Sequence, residues 1–244
     1  MRTVIVTGGS RGLGLGIARR LAGAGYRVIA VARRETEELR DASREAGALH
    51  FWPCDLADTA ALPGLVKDLR REFGPVYGLV NNAGLGTGGL LATMPTAQIE
   101  QLVRLNTVSP IVLTKQVVRG MMVDAGNPVR GGRIVNIASI VAVSGFSGLS
   151  VYSATKASLV GFTKALAREV GRLGVTVNAV APGFVDTAMT EDLEGAQRGQ
   201  IIRRSALGRL ADIDDVANAV EFLLGDAARN ITGTVLTVDA GSTA

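Results

Sequence analysis

The sequence predicts a doubly wound α/β fold, a seven-stranded parallel sheet with helices on both faces. Three observations carry this. Short β-branched runs alternate with longer helical patterns over the whole length. The runs are nearly continuous Val, Ile and Leu, as parallel strands buried on both faces require. The glycine- and proline-rich breaks are short, as βα loops are, so residues 1–244 read as one domain without a linker.

In chain order, the expected strands are Thr3–Thr7, Arg27–Ala32, Leu49–Cys54, Val76–Asn81, Arg133–Ala138, Val175–Val180 and Val235–Val238. Helical patterns fill the intervals near Gly12–Ala24, Glu35–Ala46, Ala60–Phe73, Gln98–Val123, Tyr152–Leu173 and Asp214–Leu224. The longest irregular pieces are Asp124–Gly132 and Thr187–Gly208. The second follows a strand's carboxyl end, where ligands sit in such sheets, and reads as a mobile lid.

Composition narrows the function. A chain of 244 residues, 47% of them hydrophobic, builds a full core. No apolar run approaches the ~18–20 residues that span a bilayer, so no membrane association is expected. The first strand pattern starts almost at Met1 and leaves no room for a targeting segment, which makes the cytoplasm the expected compartment. The single cysteine forbids an intrachain disulfide, and Cys54 reads as a core residue at a strand end. With one histidine, a Cys/His zinc site lacks ligands, and no metal is expected. A Ser-His-Asp triad would need His50, which reads as a surface or edge residue with no nucleophile elbow near it. The net charge of +4 suits phosphorylated or acidic partners. Nucleic acid is not expected, because aromatics are only 4% and no basic stretch is interleaved with them.

Chemistry enters with the turn after the first strand, Thr7-Gly8-Gly9-Ser10-Arg11-Gly12-Leu13-Gly14. Glycines let the backbone approach a pyrophosphate, and the following helix presents its amino terminus to that charge. The second strand ends Val31-Ala32-Arg33-Arg34. An NAD site would place a carboxylate near here for the ribose hydroxyls; Ala32 stands there instead, and Arg33, Arg34 and Arg11 offer cations to a 2′-phosphate. NADPH is therefore expected over NADH, the alternative being that the arginines are merely solvated.

Tyr152 and Lys156 lie four apart on one face of a helix. An ammonium near a phenol favours the phenolate, so the pair predicts a tyrosine of lowered pKa, a proton donor for a ketone becoming an alcohol.

Together and in this order, the motifs resemble the short-chain dehydrogenase/reductase family over essentially the whole chain. The glycine turn matches Thr7 to Gly14. The adenine-contacting acid matches Asp55, followed by Leu56. The N-N-A-G motif matches Asn81, Asn82, Ala83 and Gly84. The helix asparagine is Asn106, the serine after the fifth strand Ser139, and the Y-x-x-x-K motif Tyr152 to Lys156. The P-G motif is Pro182-Gly183, with Val185 and Thr187 beyond it. The resemblance implies a Rossmann-like, NADP-dependent oxidoreductase. Tyr152 would be the general acid in reduction, and Lys156 would lower its pKa and bind the nicotinamide ribose. Ser139 would steady the substrate oxygen, and Asn106 would hold a water linking Lys156 to solvent.

The carboxyl-terminal half is most similar to the 3-oxoacyl-[acyl-carrier-protein] reductases of that family. This implies a 3-oxoacyl thioester substrate, and Arg130 matches a basic position used toward the acidic carrier. One departure is Leu85-Gly86-Thr87-Gly88-Gly89, where those reductases usually carry a Thr-Arg-Asp type stretch beside the substrate cleft. A reductase or alcohol dehydrogenase for another ketone, diketone or sugar is the alternative. A non-catalytic nucleotide-binding protein would have no chemical need for all four catalytic residues. A Rossmann methyltransferase would explain Gly8–Gly14 but not Tyr152 and Lys156. The resemblance also implies a homotetramer. Leu159, Phe162, Leu166 and Val170 offer either a face for a second copy or packing on the chain's own sheet.

Overall fold

A computed structural model of the chain describes residues 1–123, 131–185 and 195–244. Arg130, Thr187 and the first part of the expected lid lie outside the described residues. Seven strands form a parallel sheet in the order β3-β2-β1-β4-β5-β6-β7. They are β1 Thr3–Thr7, β2 Arg27–Ala32, β3 Leu49–Pro53, β4 Val76–Asn81, β5 Arg133–Ile137, β6 Thr176–Pro182 and β7 Val235–Val238. The helices are α1 Gly12–Gly23, α2 Glu37–Ala46, α3 Leu62–Phe73, α4 Thr96–Val103, α5 Ser109–Val123, α6 Ser150–Val170, α7 Gly195–Arg204 and α8 Ile213–Leu224.

Alternate residues along each strand feed two cores. Val4, Val6, Val28 and Ala30 face one side and pack with Ile17 and Leu21 of α1, Leu39 of α2 and Val220 of α8. Ile5, Ile29, Leu79 and Ile134 face the other and pack with Leu65 and Leu69 of α3, Leu113 and Val117 of α5, and Leu166 of α6. This two-sided burial is why the strands lack a polar face. Only the edges relax: β3 ends at Pro53, where an edge strand tolerates a missing N–H.

Three differences from the sequence reading have local causes. The pattern read as one helix over Gln98–Val123 is α4 and α5 joined by a π-helical turn, Arg104–Val108, in which Ser109 N–H reaches back to the Arg104 carbonyl. The apolar spacing carries on through it, so composition hides it. The sixth strand runs to Pro182 because Ala181 and Pro182 pair with Thr237 and Val238 of β7, a partner distant in sequence. Part of the expected lid is helical, α7, whose Gly195 and Gly199 weaken the helical signal.

The face carrying Leu159, Phe162, Leu166 and Val170 turns out to serve the chain's own core. Leu166 and Val170 are buried against β5 and β6 residues with Phe162 packed beside them, and Leu159 is buried too. The larger exposed apolar residues of this region are Val103, Val108 and Ile111, around the π-turn.

Candidate active site

Strand order reverses between β1 and β4, which leave the sheet in opposite directions of winding, and such a point opens a crevice at the strands' carboxyl ends. Thr7, the last residue of β1, ties the two halves together there. Its hydroxyl donates to the Val80 carbonyl at 3.2 Å and accepts from the backbone N–H groups of Asn82 at 2.9 Å and Ala83 at 3.0 Å. The Asn82 amide returns a bond to the Thr7 carbonyl at 2.9 Å. The turn that follows needs glycine for stated reasons. Gly8 sits at φ +66°, and a Cβ on Gly14 would lie 2.1 Å from the Gly8 carbonyl oxygen.

At Gly12, which sits at φ +52°, the demand for glycine comes from the backbone alone, since a Cβ would meet nothing within 4 Å. The α1 helix starts at this open point, and its N-cap, Arg11, makes no side-chain cap bond. The first N–H groups of α1 thus have no side-chain cap at the Arg11 N-cap. Thr36, which the sequence reading passed over, braces the turn: its hydroxyl donates to the Ser10 carbonyl at 2.5 Å and accepts from Leu39 N–H at 3.2 Å, capping α2. A Thr just ahead of Glu-Glu is a helix-start signal, but its second bond is tertiary and has no sequence signature.

Arg11, Arg33 and Arg34 are all exposed and have no carboxylate partner among the described residues. The nearest acid in sequence, Glu35, is turned onto Arg40, accepting at 3.2 and 3.1 Å. Asp55 is exposed and closes a turn by accepting from Ala57 N–H at 3.0 Å, while Leu56 is buried with its carbonyl held by the Ser109 hydroxyl at 2.6 Å. Gly183 donates to the Val238 carbonyl at 2.9 Å, and a Cβ there would press on Asp239 at 2.7 Å. Val185 is buried and bridges Ala211.

The four residues expected to act together come from β5's end, α6 and the π-turn. Ser139 follows β5 in extended backbone, its hydroxyl accepts from Val141 N–H at 3.4 Å, and it stands near enough to the Tyr152 phenol to lower that phenol's pKa. One turn along α6, Lys156 is buried, 5% exposed, and donates to the Ile137 carbonyl at 2.7 Å. Its Nζ lies 5.7 Å from the centre of the Tyr152 ring. Asn106 is buried in the π-turn. Its amide accepts from Leu85 N–H at 2.8 Å and donates to the Leu85 carbonyl at 2.9 Å and to Thr155 Oγ1 at 3.2 Å. Thr155 in turn donates to the Tyr152 carbonyl at 2.7 Å. Thr155 is a second residue the sequence reading missed. Gly84 fits between two of these groups: a Cβ on it would stand 3.2 Å from Asn106 Oδ1 and 3.7 Å from Lys156 Nζ.

The titration of the pair differs from the expectation. Burial pushes the Tyr152 phenol up, and the nearby Ser139 hydroxyl only partly offsets this. Burial pulls Lys156 down to about 8, because a desolvated ammonium is disfavoured. Periodicity alone places the two side chains on one face; it does not reveal that Lys156 is buried and Tyr152 partly so. The consequence is a protonated phenol at neutral pH beside an amine that exchanges protons near neutrality. Cys54 is half-buried with its thiol raised by burial, as a structural cysteine is. His50 lies on the edge strand β3 against Phe73, rings 5.1 Å apart. Among the described residues no cluster of His, Cys, Asp and Glu is set to hold a metal, and no helix is long and apolar enough to cross a membrane.

Known proteins place this geometry in a family. A family model described as enoyl-(acyl carrier protein) reductase matches residues 8–243. The 3-oxoacyl-[acyl-carrier-protein] reductase FabG of Escherichia coli (strain K12) is 40% identical over 240 residues, covering 98% of this chain and 96% of its own. The Homo sapiens 3-oxoacyl-[acyl-carrier-protein] reductase is 40% identical over 97% of this chain and 95% of its own. Among solved structures, a short-chain dehydrogenase from Burkholderia cenocepacia J2315 in complex with NADP superposes with a TM-score of 0.90 at 33% identity, covering 100% of this chain and 98% of its own. The short-chain dehydrogenase/reductase from Serratia marcescens BCRC 10948 gives 0.91 at 33% identity with the same coverage. With the ordered motifs, the fold and these relatives in agreement, the chain belongs to the short-chain dehydrogenase/reductase family of oxidoreductases.

Proposed function

We propose that this chain, acting as one domain, reduces the 3-oxo group of an acyl thioester to a secondary alcohol, with NADPH as reductant and Tyr152 as general acid. The observation that carries this is the nearness of the Ser139 hydroxyl to the Tyr152 phenol, whose pKa it lowers, beside buried Lys156. Two hydroxyls meeting at one point suit a carbonyl oxygen, which needs both charge stabilisation and a proton. Reduction of a carbon–carbon double bond, which the family model's description names, would need its proton at carbon instead. The 3-oxoacyl-[acyl-carrier-protein] relatives at 40% identity support the thioester.

The residues present fit the dinucleotide. The uncapped start of α1 and the open point at Gly12 suit its pyrophosphate. Gly8, Ser10, Leu13 and Gly14 shape that turn. Arg11, Arg33 and Arg34 would take a 2′-phosphate, and Asp55 and Leu56 flank the adenine side. Asn82, Ala83, Gly84, Pro182, Gly183, Val185 and Thr187 complete the lining in this reading. When bound, the cofactor supplies the hydride to the carbonyl carbon.

The chain's own groups do the rest. Ser139 orients the carbonyl oxygen. Tyr152, kept protonated by burial, gives that oxygen its proton. Lys156 then steadies the phenolate left behind, its charge close to the ring. Asn106 holds Leu85 and, through Thr155, the turn of α6 that carries Tyr152. Its place beside Gly84 and Lys156 is where a proton path to solvent would run.

In this reading an acyl carrier protein is the substrate's carrier, the cytoplasm is the compartment, and the chain assembles as a homotetramer through the exposed apolar residues around the π-turn. The test measures NADPH oxidation against acetoacetyl and crotonyl thioesters, β-keto esters, diketones and cyclic ketones in parallel, for the natural chain and Tyr152→Phe. We expect acetoacetyl thioester turnover at least ~100-fold above the variant, with NADPH fluorescence still changing on binding to both. Thioester turnover no higher than the variant's removes the substrate assignment. A variant of near-normal turnover removes Tyr152 as the acid.

A further inference from the structure

Two buried asparagines each donate a side-chain amide to a buried threonine of α6. Asn136 of β5 donates to Thr163 Oγ1 at 2.8 Å, and Asn106 of the π-turn donates to Thr155 Oγ1 at 3.2 Å. Thr163 is 0% exposed and Thr155 2%. Losing either hydroxyl leaves an amide N–H without its partner and away from water, so both bonds hold the fold together. The two differ in what the hydroxyl does next. Thr155 passes its own proton to the Tyr152 carbonyl at 2.7 Å. A helical threonine readily bonds back in this way, and such a bond alone anchors nothing. Here the same oxygen is gripped from outside the helix by Asn106, whose amide also accepts from Leu85 N–H at 2.8 Å and donates to the Leu85 carbonyl at 2.9 Å. Thr155 therefore hands a tertiary anchor on to the backbone of the proton donor.

That anchor sits where α6 needs one. Tyr152 is the third residue of the helix, and the N-cap, Leu149, makes no side-chain cap bond. A first turn without a cap is the part of a helix that frays. Lys156 is fixed separately, by its bond to the Ile137 carbonyl of the sheet. A second rung supports the first: the Thr107 and Ser158 hydroxyls lie 3.0 Å apart, and Ser158 donates to the Thr155 carbonyl at 2.6 Å. Consecutive residues of the π-turn thus grip the first two turns of α6. Thr163 lies about two turns further along the helix than Thr155, beyond that grip.

Resting on the carbonyl-reductase reading, we propose that Thr155 is a positioning residue for that reaction: its hydroxyl carries the hold of Asn106 to the Tyr152 backbone and keeps the phenol where the substrate oxygen can take its proton. Proton and hydride transfer are sensitive to displacements of about 1 Å, so a loosened first turn slows the chemical step and leaves cofactor binding alone. Thr163 has the same burial and the same kind of amide partner, and serves stability only.

The test measures kcat, the KM for NADPH and the melting temperature of the natural chain, Thr155→Val, Thr155→Ser and Thr163→Val, using the carbonyl compound that the natural chain reduces fastest. Both valine variants should melt lower by about 2–6 °C, each having lost one buried hydrogen bond. Thr155→Val should lose about tenfold or more in kcat with the KM for NADPH within about twofold, and Thr155→Ser should recover kcat to within about threefold. Thr163→Val should keep kcat within about twofold, because its hydroxyl does not reach Tyr152. Where Thr155→Val does not fold, Thr155→Ala carries the same expectation; loss of NADPH binding in both would make Thr155 a folding residue and overturn the proposal. So would a Thr155→Val kcat within about twofold of the natural chain, a serine variant as slow as the valine one, or an equal loss of kcat in Thr163→Val. Reduction of ketones but not thioesters would overturn the thioester reading alone, since Thr155 is then judged on the ketone. A natural chain that reduces no carbonyl compound with NADPH would overturn the reductase reading and this proposal with it.

Discussion

The two ends of the sheet make an instructive pair. At the amino-terminal end, Arg2 bonds Asp226 at 2.9 and 3.1 Å and lies over the Tyr77 ring at 4.5 Å. Arg133 approaches the same ring at 5.7 Å, Tyr26 stacks on it at 6.2 Å, and the Tyr77 hydroxyl donates to the Leu224 carbonyl at 2.7 Å. Burial raises both tyrosines, and Arg2 lowers Asp226. At the carboxyl-terminal end, burial raises Tyr152 and brings Lys156 to about 8. Perturbed titration is thus present at both ends and does not by itself mark a site. What separates them is whether the polar groups are spent on one another. The first cluster carries its own carboxylate, which Arg2 takes up, and its Tyr77 hydroxyl is spent on a backbone carbonyl. At the second, Lys156 has a backbone carbonyl and the face of Tyr152, with no carboxylate among the described residues.

The largest expected effect separates the ends by activity. Tyr152→Phe should cut turnover by at least ~100-fold, whereas Tyr77→Phe, a buried phenol at the other end, should leave kcat and KM as they were.

Next comes stability against pH. The folded-state pKa of Lys156 lies below its ordinary value, so at neutral pH the chain bears the cost of a buried ammonium. The unfolded chain holds one more proton between about 8 and 10.5, so this cost is relieved as pH rises through that window. Lys156→Met should therefore stabilise the protein at pH 7 by roughly 1–3 kcal/mol while abolishing turnover, and chemical denaturation should show the gain shrinking toward pH 10. A variant destabilised at every pH would mean that the lysine's bond to Ile137 outweighs its desolvation.

A third substitution tests the exposed cations of the cofactor side. Arg33→Ala with Arg34→Ala should raise the KM for NADPH by about tenfold or more, each charge-assisted bond being worth over 1 kcal/mol, and leave the KM for NADH within about twofold. Equal losses for both cofactors would break the reading of a 2′-phosphate site. The smallest effect is the counterpart of the first: Tyr77→Phe strands the Leu224 carbonyl and should lower unfolding free energy by about 1–2 kcal/mol, read by urea denaturation.

Much of the molecule was open to reading before its structure. Continuous apolar runs gave the strands to within two residues, because a strand covered on both faces has no polar alternation to confuse it. The glycine turn was equally legible, since Gly8 and Gly14 answer to backbone geometry and close packing within a few residues of chain. Tyr152 and Lys156 share a helical face by periodicity alone. Tertiary structure decided what periodicity does not carry. It widened the long helix into a π-turn at Arg104–Val108, which carries Asn106 to Leu85 and Thr155. It enlisted Thr36 to brace Ser10 across 26 residues of chain. It buried Leu166 and Val170 in the chain's own core. It also reversed the expected direction of the Tyr152 titration, because desolvation depends on everything packed around a group, and a sequence states only which groups exist.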